Sequence, residues 1–145
     1  MAMDRTGTGL AIVRICVGVL LLFEGLSKLG WFTDAGPLTQ QLTGWVERAT
    51  PMNLWYLQRV ALPYASVFAR LVVLGELSSG LSLAFGVWTR TAAALAFLMV
   101  LNFHFASAAI FRYAFLTNGY GLPVLGSLLG VAVGGRSLPM SLRRS

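Results

Sequence analysis

A chain of 145 residues, 57% hydrophobic and only 11% charged, lacks the polar side chains that cover the surface of a water-soluble domain. Its net charge of +6 comes from dispersed Arg and Lys residues without a basic patch, which argues against nucleic-acid binding. Membrane-spanning helices need about 20 apolar residues each, so a few of them use most of this length and leave no room for a soluble catalytic domain. We therefore expect an integral membrane protein with lipid as its immediate partner.

Four apolar runs predict an all-α membrane protein, an antiparallel four-helix transmembrane bundle in a single domain, residues 1–145. The predicted spans are about 10–30, 67–88, 91–111 and 116–133, and a basic tail follows at 134–145. Only Thr89 and Arg90 separate the second span from the third, which favours an antiparallel hairpin. Pro123 is expected to bend or delay the fourth helix.

The connection at 31–66 is long, and polar residues and prolines interrupt each of its apolar windows. Some of its apolar residues recur at helical spacing, which predicts a short amphipathic helix along the interface or at the mouth of the bundle. These residues are Leu38, Leu42, Trp45, Val46 and Ala49. Its aromatic residues are typical of a belt at the headgroup level, with a ligand-stacking cage as the alternative. They are Trp31, Trp45, Trp55 and Tyr56.

With four spans, both termini lie on the same side of the membrane. More Arg residues fall on the side of the termini than on the opposite side, which favours cytoplasmic termini. The first set is Arg5, Arg90, Arg136, Arg143 and Arg144, and the second is Arg48, Arg59 and Arg112. The long connection is then expected on the outer face.

Cysteine and histidine usage limits the redox and metal chemistry of the chain. Cys16 is its single cysteine and His104 its single histidine. One cysteine allows no internal disulfide and no thiolate cluster, and one histidine cannot provide bis-histidine haem ligation. We therefore expect no metal site and no covalently bound cofactor. We interpret Cys16 as a small buried hydrophobic residue of the first helix.

Ionisable residues at membrane depth are costly, about 2.5–3.5 kcal/mol each by insertion scales, and they usually mark function. On an ideal helical wheel, five residues of the first span share one face: Arg14, Gly18, Glu24, Gly25 and Lys28. Glu24 and Lys28 also form an i,i+4 pair in the favoured order. The structural alternative is an ion pair at the helix end, with Lys28 reaching the headgroups.

The predicted polar site consists of Arg14, Lys28, Glu76 and His104, as either a ligand-binding site or an interhelical polar contact. Glu76 has no basic residue within a turn of its own helix, so its partner must come from another helix, and Arg14 is the first candidate. Glu76 and His104 are the candidate catalytic residues. A hydrogen-bonded core residue is the alternative interpretation of His104.

Small residues on the second span predict close helix packing. Gly75, Ser79, Ser82 and Gly86 fall within about 60° of one another on an ideal wheel. Small residues at such spacing let two helices approach closely in a membrane. We expect them to pack together with Gly18 and Gly25 of the first span.

Three stretches carry a resemblance to a known family. The first runs over 12–29, with Arg14, Gly18 and a Gly-x-x-Lys-Leu ending. The second is the Glu-x-x-x-Gly helix at 75–86, followed by Thr-Arg-Thr-Ala-Ala. The third is Gly-Gly-Arg-Ser-Leu at 134–138, although proline follows where an acidic residue is common in the family. Together they resemble the DoxX family of small bacterial membrane proteins, which includes a subunit of thiosulfate:quinone oxidoreductase.

The resemblance implies a four-helix, multi-pass subunit of the bacterial inner membrane that works beside a soluble or lipoprotein redox partner and is linked to the quinone pool. One hypothesis is a non-catalytic subunit that anchors or stabilises a larger complex or a homo-oligomer, with Arg14 and Glu76 as an interhelical clamp. Another is a quinone-binding subunit of a membrane oxidoreductase, in which Arg14, Lys28 or His104 hold the quinone carbonyls. Glu76 or His104 then exchanges protons. A third is transport of a small solute. The sequence leaves open whether the chain is an enzyme.

Overall fold

The computed structural model describes residues 5–142, and that part of the chain is helical without a strand. The α-helices are α1 (Arg5–Ser27), α2 (Gly36–Val46), α3 (Pro51–Tyr56), α4 (Ala65–Phe85), α5 (Thr89–Ala106), α6 (Ala114–Thr117) and α7 (Leu122–Gly134). A π-helical segment, Leu57–Ala61, continues α3, and short 3-10 turns follow α1 at Leu29–Phe32 and α5 at Ala109–Phe111.

By length and apolar composition, α1, α4 and α5 can each cross a membrane. They correspond to the first three predicted spans, although α5 ends at Ala106, five residues before the predicted end of the third span at 111. The fourth predicted span, 116–133, begins too early, because α7 begins only at Leu122 and has 13 residues. Pro123 lies in the first turn of α7, where its missing N–H costs no helical hydrogen bond, so the predicted delay of this helix is confirmed.

The four longest apolar helices pack in a ring, in which α1 contacts α4 and α7, and α5 contacts the same two helices. The core of the ring is formed by small and aliphatic side chains from all four helices. Its most buried members include Leu21, Leu83, Ala93, Leu128 and Val131. This apolar core fixes the helices that carry the ionisable residues.

The backbones of α1 and α4 approach most closely at two glycines. A Cβ on Gly18 would lie 2.6 Å from the backbone nitrogen of Ala84, and a Cβ on Gly80 would lie 2.6 Å from the backbone nitrogen of Leu22. Side chains at these positions would therefore push the helices apart. Gly25 lies against Leu77 in the same interface.

The small residues predicted on the second span do not all pack against the same helix. Ser79 is buried, but Gly75 faces the Met99 sulfur of α5. Ser82 is half-buried, and Gly86 ends α4 with a left-handed backbone at φ +72°. Gly80, which makes the closest approach to α1, was not in the predicted set.

The long connection is ordered by helices of its own. The predicted amphipathic helix is confirmed as α2, which buries Leu38 and Leu42 against the π-helical segment and α4, but it ends at Val46 and so does not include Ala49. Asn53 of α3 is fully buried, and its Nδ2 donates to the carbonyl of Ala106 at 3.2 Å, which ties the connection to the end of α5.

The exposure of Cys16 differs from what the sequence predicted. Its side chain is exposed on the outer face of α1, beside the exposed Ile12 and Val19, so the prediction that it is buried is wrong. An outward-facing cysteine in an apolar helix is in keeping with contact to lipid, since thiols behave as small hydrophobic groups.

Candidate functional site

The ammonium of Lys28 lies between two carboxylates from different helices. Its Nζ is 2.8 Å from Glu24 Oε2 on α1, and 2.7 and 2.9 Å from the two oxygens of Glu76 on α4. Gly25 lets α4 approach at this level, so that Glu76 reaches Lys28. We call Glu24, Lys28 and Glu76 the acid–base triad. Lys28 therefore bridges two helices and is more than a helix-end partner of Glu24.

Arg14 lies at the other end of α1 and does not contact the triad. Its side chain is fully buried, Nη1 donates to Ser141 Oγ at 2.6 Å, and Nη2 donates to the Met140 carbonyl at 2.7 Å. The predicted Arg14–Glu76 pair is wrong, because the ion-pair partner of Glu76 is Lys28. Fourteen residues of α-helix, about 21 Å, separate Arg14 from Lys28.

Arg14 instead holds the chain that follows α7. The glycine at position 86 leaves room for this contact, because a Cβ there would collide with Arg14 Nη1. The backbone nitrogen of Leu142 adds a hydrogen bond to the Phe85 carbonyl at 3.0 Å. Residues 140–142 of the predicted basic tail are thus folded back on α1 and α4, while Arg143 and Arg144 lie outside the described residues.

His104 is buried on α5 and is linked to the triad through Tyr120. Its Nε2 lies 2.7 Å from the Tyr120 carbonyl oxygen, and since a carbonyl only accepts, Nε2 carries the proton. The Tyr120 hydroxyl donates to Glu24 Oε1 at 3.1 Å, and this bond to a carboxylate raises the pKa of the Tyr120 phenol. The His104 ring also packs edge-on against Phe115.

Sequence reasoning missed Tyr120, which lies in the turn before α7. The side-chain oxygen of Asn118 accepts from the Tyr120 backbone N–H at 2.9 Å, and this local bond shapes the turn. The Asn-Gly-Tyr-Gly sequence at 118–121, directly before a helix with proline in its first turn, could have indicated this turn.

The triad and His104 border a cavity of about 450 Å³, which we call the polar cavity. Its polar wall includes Glu24, Lys28, Gln41, Glu76, His104, Asn118 and Tyr120. Its remaining wall is apolar and aromatic, and includes Leu21, Trp31, Trp45, Met99, Val100 and Phe103. Trp31 also lies under the ammonium of Lys28, with 5.9 Å between Nζ and the ring centroid. This combination is typical of a small-molecule site.

A second cavity of about 240 Å³ lies next to the first and shares Trp45, Met99 and Phe103 with it. We call it the apolar cavity, because aliphatic and aromatic side chains form most of its wall. Its polar exceptions, Tyr56 and Asn102, are hydrogen-bonded to each other, since the Tyr56 hydroxyl donates to Asn102 Oδ1 at 2.8 Å.

The structure thus places three of the four predicted polar-site residues, Lys28, Glu76 and His104, around one cavity and leaves Arg14 apart. Two of the connection's aromatic residues, Trp31 and Trp45, line the same cavity, whereas Trp55 is exposed. Within residues 5–142, no cluster of three or more His, Cys, Asp or Glu side chains is arranged to hold a metal ion.

The comparisons with known proteins identify a family. The family model described as DoxX matches residues 9–109, well over half of the chain. This match contains the triad and His104, while Tyr120 and the Gly-Gly-Arg-Ser-Leu stretch lie beyond it. No curated protein and no solved structure matched the chain. On the family match, this integral membrane protein belongs to the DoxX family.

Proposed function

We propose that this protein is a multi-pass subunit of the bacterial inner membrane that binds a quinone in the polar cavity and exchanges a proton with it. In this proposal, α7 joins α1, α4 and α5 to complete an antiparallel four-helix bundle with cytoplasmic termini. The observation that carries the proposal is the lining of the polar cavity, because a purely structural ion pair needs no cavity beside it with both polar and aromatic walls.

The two kinds of wall match the two parts of a quinone ring. A quinone has flat apolar faces, which pack well against aromatic and aliphatic side chains such as Trp45, Phe103 and Val100. Its two carbonyl oxygens need hydrogen-bond donors, and Lys28 and Tyr120 on the polar wall would each supply one by giving up the hydrogen bond that they make to Glu24. His104 has Nε2 committed to the Tyr120 carbonyl, so its Nδ1 is the nitrogen left to accept from a quinol hydroxyl.

The triad is suited to holding one proton. Two carboxylates and one ammonium carry a net charge of −1 when both acids are ionised, and of zero when one acid is protonated. Lys28 can hydrogen-bond both acids in either state, so gain and loss of the proton need not break the contact between α1 and α4. Reduction of a quinone to a quinol takes two electrons and two protons, and we assign one of these protons to the triad and the other to water at the membrane surface.

The electrons come from a partner protein in this proposal. The chain has one cysteine, which is exposed on α1, and it therefore has no dithiol of its own. Only the bound quinone would store electrons within this subunit. A soluble or lipoprotein redox partner, as the family resemblance implies, would deliver them.

The anchoring hypothesis also has support in the structure, since Lys28 and Glu76 do clamp α1 to α4. An interhelical clamp explains the ion pair, but it does not explain the aromatic wall or the open volume. We therefore place quinone binding ahead of anchoring and of solute transport.

Quinone binding can be tested by filling the polar cavity without touching a charged group. Val100 lines the cavity, whereas Leu98 on the same helix points outward and is 59% exposed. In the purified full-length protein, we expect Val100→Phe to weaken binding of a short-chain quinone at least tenfold and Leu98→Phe to change it less than twofold. Quenching of tryptophan fluorescence measures the binding. Equal affinities in the two variants, or no binding by the wild type, would reject the proposal.

The proton role of the triad is tested with Glu76→Gln and the matched control Glu47→Gln, an exposed carboxylate on the connection. In the complex purified with its native partners, we expect Glu76→Gln to reduce quinone-dependent turnover at least tenfold. Folding and co-purification of partners should be unchanged. If Glu76→Gln instead releases the partners while turnover per assembled complex is normal, the anchoring hypothesis is supported in place of ours.

A further inference from the structure

The apolar cavity has no role in the ring chemistry proposed above. It lies between α2, the π-helical segment, α4 and α5, and its wall is formed by side chains such as Leu42, Phe68 and Val72. The Tyr56–Asn102 hydrogen bond pairs the two polar side chains in this wall. A cavity of this kind offers an apolar ligand good contact but gives a charged or strongly polar one little compensation for lost water.

The apolar cavity continues from the polar cavity. Trp45, Met99 and Phe103 contribute to the walls of both, so a single molecule can have one part in each. Met99 is unbranched and flexible at this junction, and methionine adapts readily to the shape of a ligand. The continuity indicates a ligand with a polar ring and an apolar extension.

The apolar cavity also reaches the outer surface of α4. Leu71 lines the cavity and is itself 55% exposed, on a helix that is long and apolar enough to cross the membrane. In the bilayer this surface meets lipid. A hydrophobic chain lying in the cavity can therefore continue into the membrane, with no need for the whole ligand to fit inside the protein.

We infer that the apolar cavity binds the isoprenoid tail of the quinone, while the ring lies beside the acid–base triad. This inference rests on the proposed function and adds the substrate class: a lipid-soluble quinone with a tail, in preference to a small water-soluble one. The first tail units pack between Trp45, Phe103 and Val72, and the remainder leaves past Leu71.

The test compares two probes on the purified full-length protein at one fixed detergent concentration. One probe is 2,3-dimethoxy-5-methyl-1,4-benzoquinone, which has no tail, and the other is the same ring with two isoprenoid units. We expect the wild type to bind the tailed probe at least tenfold more tightly. Val72→Phe should remove most of this difference and leave the affinity for the ring alone within twofold.

The matched control is Leu74→Phe, which adds the same side chain to the outward face of α4, where Leu74 is 52% exposed. It should leave both affinities within twofold of the wild type. If Val72→Phe does not fold, Leu71→Phe narrows the opening of the same cavity and should give the same selective loss.

The outcomes separate this inference from the proposed function. If the wild type binds the tail-less ring but Val72→Phe or Leu71→Phe leaves the tail preference intact, the inference fails and quinone binding stands. If the variants release a co-purified phospholipid with no effect on the tailed quinone, the cavity holds an acyl chain and the inference again fails. If the wild type binds neither probe, both proposals fail.

Discussion

Lys28 is the residue that allows two acids to lie close together at the end of a membrane helix. Its ammonium bonds Glu24 within α1 and Glu76 across to α4. Without it, two carboxylates would face each other with no counter-charge, and such unpaired charges are costly away from water. The residue thus connects the stability of the α1–α4 contact with the charge of the polar cavity.

Replacing Lys28 by methionine should therefore destabilise the protein. We expect the free energy of unfolding to fall by about 2–3 kcal/mol. This is less than the 3–5 kcal/mol typical of a fully buried pair, because the side chains of Lys28 and Glu24 are partly exposed. Adding Glu76→Gln should restore part of the loss, since it removes the repulsion between the acids. Thermal unfolding in detergent measures both effects, and a Lys28→Met variant as stable as the wild type would argue against the triad as described.

The partner of Glu76 was misassigned from the sequence for a geometric reason. A helical wheel gives the angle of a residue around the axis but not its height, and Arg14 and Lys28 share a face about 21 Å apart. The contacts of Gly25 with Leu77 and of Gly18 with Ala84 show that α1 and α4 run in opposite directions. In that register Lys28 lies level with Glu76, and Arg14 lies level with Gly86.

Among the helices, the close contact between α1 and α4 depends on two glycines, Gly18 and Gly80, which have no side chain to keep the backbones apart. Gly18→Ala would place a methyl group 2.6 Å from the Ala84 nitrogen, so the backbones must separate. We expect a destabilisation of about 1–3 kcal/mol, as for overpacking elsewhere. Gly9→Ala on the same helix is the control, because nothing lies within 4 Å of a Cβ there. Equal melting temperatures for the two variants would contradict this close contact.

The helices themselves were largely predictable, because lipid requires long apolar runs and these stand out in the sequence. The amphipathic α2 was also predictable from its spacing. The start of α7 was not placed correctly, since the apolar residues before it continue the hydropathy signal without continuing the helix. Trp31 and Trp45 were interpreted first as belt residues, and the structure assigns both to the cavity wall, with Trp31 beside Lys28 and Trp45 packed against Phe103.

At the scale of the whole molecule, the residues after α7 are held by a buried arginine. Arg14→Lys keeps the charge but loses the pair of guanidinium hydrogen bonds to Ser141 and Met140. We expect the amide of Leu142, which bonds Phe85, to exchange hydrogen about tenfold faster in this variant. Hydrogen exchange read by mass spectrometry measures the change. The exposed Arg59→Lys is the control, and equal exchange in both variants would mean that Arg14 does not hold this segment.

The polar and apolar cavities lie on one side of this assembly, between the ring of apolar helices and the connection that covers it. Tyr120, from beyond the family match, completes the polar wall. We propose that this space holds a quinone.

Quinone binding is tested by extracting quinone from full-length protein purified from its native membrane in a mild detergent. Mass spectrometry of the extract should give about one quinone per chain for the wild type and for Leu98→Phe, and a several-fold lower ratio for Val100→Phe. A wild-type ratio no higher than that of an unrelated membrane protein from the same membrane, or an unchanged ratio in Val100→Phe, would contradict quinone binding in this cavity.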